Sequence, residues 1–238
     1  LRIELLGLPL DLVEFAEALD LVERLLQGTR TAQVVTLNPE ITVRAQTDPF
    51  LREAIRKAEL VTADGEGILW ALRTLTPCRL SQRVTGADLV PELLARQGPR
   101  ISVYFLGGVP GVAEEAAVEA KHRWNIKVAG ARDGYFRDEE PVVEAVRASG
   151  ADLLLAGLGE RQETFIYRHK EGLGVRVAIG VGGVLDVLAG RVKRAPRWAQ
   201  RAHLEWLVRV GLDPKRWRRV PRLVRFVQLV RRARTQRG

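Results

Sequence analysis

An α/β fold, with a Rossmann-like, mostly parallel sheet flanked by helices and a basic helical C-terminal appendage, is predicted by three features of this 238-residue sequence. Short apolar, mostly β-branched runs alternate with longer helical patterns, polar residues and glycines fall just after those runs, and the charge changes sign near residue 191. Taken in order, a helix over 13–27 leads into a strand at 33–37, and a helix over 39–58 returns the chain to a strand at 60–63. A short helical segment at 68–72 and a helix over 86–97 precede the strand at 101–106. Helices over 112–124, 139–149 and 162–171 then lead into strands at 127–130, 152–156 and 176–181. Strand, helix, strand in repetition builds a parallel sheet with both faces covered. The expected division is a catalytic body at 1–195 and an appendage at 196–238.

Composition narrows the classes. Hydrophobic residues are 46% and charged residues 28%, which gives enough apolar surface for a packed core and excludes a disordered chain. Cys78 is the single cysteine and there are three histidines, so neither an internal disulfide nor zinc-ligand spacing is offered. Arg176 and Asp186 interrupt the most apolar stretch before it reaches the ~18 residues of a membrane span. The N-terminus lacks the layout of a secretory signal, and the absence of methionine reads as a trimmed start. A reducing, cytoplasmic setting is expected.

The net charge of +9 is unevenly placed. Residues 191–238 hold sixteen Lys and Arg against Glu205 and Asp213, so this segment is +14 and the first 190 residues are −5. A basic tail on an acidic body points to an anionic partner: nucleic acid, a phospholipid surface or a phosphorylated substrate. Trp198, Trp206 and Trp217 lie in the same segment, and tryptophan with arginine suits a membrane interface or a stacking surface. Over 222–234, Leu223, Phe226, Val227 and Val230 share one helical face and Arg222, Arg225 and Arg232 the other. That face fits a bilayer interface, the protein's own core or a second subunit.

Ligands of parallel sheets bind at the carboxyl ends of the strands. Here those ends carry Thr36 and Asn38; Asp64-Gly65-Glu66-Gly67; Gly107 and Gly108; Gly157 and Gly159; and Gly182 and Gly183. Glycine there either lets a backbone approach a phosphate or serves a tight turn. No complete G-x-G-x-x-G and no P-loop lysine is present, which favours a phosphate-bearing substrate over a dinucleotide cofactor. Asp64 fits a general base in a cleft, and equally an N-cap for the helix at 68–72. With Glu66 it also matches a pair of carboxylates for a divalent metal, a weaker pattern.

Several motifs in chain order carry a resemblance. They are Thr36-Leu37-Asn38-Pro39-Glu40, Ala63-Asp64-Gly65-Glu66-Gly67, Arg83-Val84-Thr85-Gly86-Ala87-Asp88, Phe105-Leu106-Gly107-Gly108, Gln162-Glu163, and the long run from Gly180 through Asp186, Gly190 and Pro196 to Trp198 and Trp206. The sequence resembles the WecG/TagA/CpsF glycosyltransferases. That resemblance implies inverting transfer of N-acetylmannosamine or a related sugar from a UDP-sugar to an undecaprenyl-diphosphate-linked sugar. It places the reaction on the inner face of the bacterial plasma membrane, in teichoic acid, common-antigen, capsule or exopolysaccharide synthesis. By the same resemblance Asp64 is the base, Thr36, Asn38, Arg83 and Gln162 line the cleft, and Arg209, Arg216 and Arg219 close over the diphosphate. Gly107, Gly182 and Gly183 join them as substrate-contacting positions. Glu160 departs from the family's usual proline, so the loop before Gln162 is expected to be shaped differently. Arginine, whose fork pairs two phosphate oxygens, is expected to balance the leaving diphosphate without a metal cofactor. An anionic membrane surface is the expected partner and a homo-oligomer stays open. A nucleic-acid-binding module leaves Asp64 and the polar strand ends unused, and a nucleotide-dependent oxidoreductase lacks its fingerprint.

Overall fold

The computed structural model describes residues 1–192 and 220–236. The chain starts with a hairpin that the periodicity does not predict, β1 (Arg2–Leu5) and β2 (Leu8–Asp11), paired antiparallel. Its turn places Leu6 at φ 53° and Gly7 at φ 78°, a primed-type turn in which leucine hides the usual glycine or asparagine signal. Helix α1 (Phe15–Leu25) follows, then β3 (Ala32–Leu37). The helix expected over 39–58 is two: α2 (Pro39–Ala45) and α3 (Pro49–Arg56). Pro49 explains the break, because the residue before proline is driven out of the helical region, and Asp48 is extended and caps Leu51 N–H instead.

The remaining elements are β4 (Leu60–Ala63), α4 (Glu66–Leu75), α5 (Gly86–Gln97), β5 (Ser102–Gly107), α6 (Val112–Trp124) and β6 (Lys127–Arg132). After them come α7 (Glu140–Ala148), β7 (Leu153–Gly157), α8 (Gln162–His169), β8 (Val177–Gly180), α9 (Val184–Leu188) and α10 (Val220–Thr235). Each of the six predicted strands is present. They form one sheet in the order β4-β3-β8-β7-β5-β6, with every pair parallel.

Alternate residues of these strands feed opposite layers. Val34, Val103, Phe105, Leu155 and Ile179 point to a core with α1, α5, α6 and α9. Val35, Leu37, Val61 and Ala63 pack on the other face with α2, α3, α4 and the hairpin. Tyr104, Leu106, Leu154 and Ala178 meet α7 and α8 farther along that second face. The predicted appendage is described only in α10, which lies against α2 and α4. Phe226 and Val230 are 2% and 0% exposed and belong to the core of the second face. For these two side chains the amphipathic face of 222–234 is therefore covered by the protein itself. Among the described residues no helix is long and apolar enough to cross a membrane.

Candidate active site

The six strands of the main sheet being parallel, their carboxyl ends lie along one edge, and the sequence-predicted positions gather there in two adjoining groups. The first is at β3 and β4. Thr36, 6% exposed, is paired in register with Thr62. Asp64 follows β4, and its N–H donates to the Leu37 carbonyl at 2.8 Å, which ties it to the end of β3. The chain then turns at Gly65, with φ 96°, a value costly for other residues. Gly65, not Asp64, occupies the N-cap position of α4, so the capping alternative for the half-buried Asp64 does not hold. A Cβ on Gly67 would lie 2.5 Å from Pro39 Cγ. Glycine thus lets the first turn of α4 close on the first turn of α2 and brings Asp64 toward Asn38. Asn38 caps α2, its Oδ1 accepting the Ile41 N–H at 3.0 Å, an orientation fixed by the helix.

Arg83 reaches the same place through backbone stitching. Val84 N–H donates to Ala63 O at 2.8 Å, and Thr62 Oγ1 donates to Val84 O at 3.0 Å. Thr85 then caps α5, with its hydroxyl held by Asp88 at 2.7 Å. Gly86 opens α5 with the Thr36 side chain 3.8 Å from where its Cβ would be. Beside this segment is a cavity of about 560 Å³ lined by Glu66, Leu69, Arg73, Arg83 and Asp88 among others. Its two arginines and its carboxylates suit a polar ligand carrying negative charge.

The second group is at β8, β7 and β5. Gln162 opens α8, is 5% exposed, and its Oε1 accepts the Gly182 N–H at 2.9 Å. Gly182, at φ 52°, has open space where a Cβ would project, and Gly183 has only Asp186 near, at 3.9 Å. Gly107 is different: a Cβ there would sit 2.3 Å from the Gly157 carbonyl oxygen. This glycine is required by the contact between β5 and β7, the point in the sheet where the connections run in opposite directions. Arg209, Arg216 and Arg219 lie outside the described residues.

Two polar clusters escape the sequence reading. Arg222 on α10 pairs with both Glu40 on α2 and Glu160. Arg44 is 3.7 Å from the Glu160 carboxylate and donates to its carbonyl at 2.6 Å. Glu160 is thus where α2, the loop after β7 and α10 meet, and Arg222 turns toward the body instead of away from it. Its guanidinium is held above the ordinary arginine range by the Glu160 hydrogen bond first and then by Glu40, against partial burial. The second cluster joins Gln33, Gln162 and Glu163, all buried. Gln162-Glu163 stood in the sequence as a motif, but the link to Gln33 was signalled only by a glutamine inside the apolar run of β3. Among the described residues no group of three or more His, Cys, Asp or Glu gathers as a metal-ligand set.

A parallel sheet that gathers a carboxylate, a threonine, an asparagine and an arginine at one edge, next to a polar cavity, has the layout of an α/β enzyme acting on a charged substrate. The family model of the glycosyl transferases named WecG/TagA/CpsF matches residues 3–238. The chain belongs to that family, and it is a glycosyltransferase.

Proposed function

We propose that this chain is an inverting transferase that moves N-acetylmannosamine, or a related sugar, from a UDP-sugar to an undecaprenyl-diphosphate-linked sugar at the cytoplasmic face of the bacterial membrane. The observation that carries this reading is the position of Asp64, bound by its backbone to the end of β3 with Thr36 and Asn38 on that strand's end and the cavity of Arg83 alongside. In the reaction Asp64 takes the proton of the acceptor hydroxyl as that oxygen bonds to the anomeric carbon. The bond from that carbon to the diphosphate breaks on the opposite side, and UDP leaves with the electron pair. Its developing charge is met by arginines, with Arg209, Arg216 and Arg219 as the proposed partners and no metal required. Gly182, with open space where a Cβ would project, and Gly183, with only Asp186 near, would let the donor approach the backbone, while Gly107 serves the contact with Gly157. The exposed arginines of α10, Arg225, Arg231, Arg232 and Arg234, support an anionic lipid surface as the docking partner, since each basic residue near such a surface contributes about 1 kcal/mol. The test is incubation with a panel of radiolabelled UDP-sugars and a lipid-diphosphate-sugar acceptor, with and without EDTA. Label is expected in the lipid fraction with one donor in both conditions; none from any donor would overturn the proposal, and loss restored by manganese would make Asp64 and Glu66 metal ligands instead.

A further inference from the structure

Behind the carboxyl edge, among β3, β8 and α8, three polar side chains interrupt an apolar layer. Gln33, Gln162 and Glu163 are 0%, 5% and 2% exposed. Their contacts form a chain. Gln33 Nε2 donates to the Glu163 carbonyl at 3.0 Å, Gln162 Nε2 donates to Glu163 Oε1 at 2.7 Å, and Gly182 N–H donates to Gln162 Oε1 at 2.9 Å. Two buried oxygens are left without a partner, Gln33 Oε1 and Glu163 Oε2. Both are acceptors when the carboxyl is ionised, and an unsatisfied buried acceptor costs free energy. One proton on Glu163 would turn Oε2 into a donor, and the side chain of Gln33, already bonded to the Glu163 backbone, carries the unpaired acceptor Oε1.

The surrounding chain is shaped to this cluster. A Cβ at Gly180 would lie 2.9 Å from Gln162 Nε2 and 3.1 Å from Glu163 Oε1, so only glycine leaves room for the pair. On its other side Gly182 O would be 2.8 Å from a Cβ on Gly157, which again requires glycine. Among the described residues Glu163 has no ion-pair partner. Arg44 on α2 is the cation whose field reaches it, and that guanidinium is engaged by Glu160. Glu59, which accepts the Gln33 N–H at 2.7 Å, is paired with Lys170. Burial therefore dominates and pushes the Glu163 carboxyl up to about 7, against the opposing hydrogen bond from Gln162.

We propose that Glu163 is a positioning residue of the cleft: carrying a proton on Oε2 toward Gln33, it fixes the Gln162 carboxamide so that its oxygen takes the Gly182 N–H, and so holds the glycine turn after β8 beside Thr36. The importance of that turn rests on the transfer reading, but the test is read on the turn itself. A folded-state value above the ordinary 4.5 means that the native state binds the extra proton. Stability is then full below about 4.5 and declines as pH rises through about 7. In the 15N-labelled full chain, the Gly182 amide is expected to titrate with a midpoint near 7. In Glu163→Gln the carboxamide donates permanently to Gln33, so the titration disappears while the Gly182 amide stays protected. Glu163→Ala is expected to speed exchange of that amide by about tenfold or more. A Gly182 amide that does not titrate, a titration that persists in Glu163→Gln, or unchanged exchange in a folded Glu163→Ala would each overturn the proposal. Should Glu163→Ala not fold, the comparison of wild type with Glu163→Gln decides alone. None of these outcomes bears on whether sugar is transferred, and a failed transfer assay does not touch them.

Discussion

Gly107 and Gly182 stand at the same edge for different reasons, and substitution separates them. Alanine at 107 would push a Cβ to 2.3 Å from the Gly157 carbonyl, a backbone atom that cannot rotate away, at a φ of 138°. Alanine at 182 would meet nothing within 4 Å and suffers only from φ 52°. Gly107→Ala is therefore expected to lower unfolding free energy by roughly 3 kcal/mol or more and Gly182→Ala by about 1 kcal/mol, measured by chemical denaturation. Equal losses would show that contact across β5 and β7 is not what glycine serves at 107. The residue scale is also where the sequence is least legible. Asp64 reads there as cap or base, and only the fold shows that Gly65, not Asp64, takes the N-cap position. Gln162 and Glu163 were legible as a motif, but the burial of Glu163 was not, because it depends on the packing of β3, β8 and α8 together.

At the scale of elements, α10 is the piece whose role changes most between sequence and structure. Its amphipathic pattern is plain in residues 222–234, yet periodicity cannot say what covers the apolar face, since lipid and protein interior present the same chemistry to Phe226. The structure seats Phe226 on α4, with its ring 6.5 Å from that of Trp70, and Arg222 bridges Glu40 and Glu160. Phe226→Ala is expected to destabilise the chain by about 3 kcal/mol or more, the cost of emptying a buried aromatic site. Arg222→Ala should cost only about 1 kcal/mol, since its partners are partly exposed and screened. Denaturation of the two variants checks the order; a larger loss for Arg222→Ala would mean that the ion pairs, not the apolar knob, hold α10. The strands and most helices were legible from short β-branched runs and helical periods. The split of residues 39–58 was missed although Pro49 marked it, and the β1–β2 hairpin was missed because its turn uses leucine at a positive φ.

Across the whole molecule, the parallel sheet sets where a site can form: the six strands that run one way collect their ends, and with them Thr36, Asn38, Asp64, Gln162 and Gly182, at a single edge. That gathering was legible, because strand order need not be known for the ends of parallel strands to share an edge. By sequence the C-terminal segment carries +14 against −5 for the first 190 residues, and in α10 that charge divides. Arg222 is spent on the body, while Arg225, Arg231, Arg232 and Arg234 remain exposed to solvent. The reading of the edge as a transfer site stands or falls with the carboxylate at its centre. Asp64→Asn is nearly isosteric and cannot accept a proton, so donor turnover into the lipid-linked acceptor should fall by about 10² to 10⁴ with donor binding and thermal stability unchanged. Near-normal turnover in that variant, measured with the donor that wild type uses, would contradict Asp64 as the base.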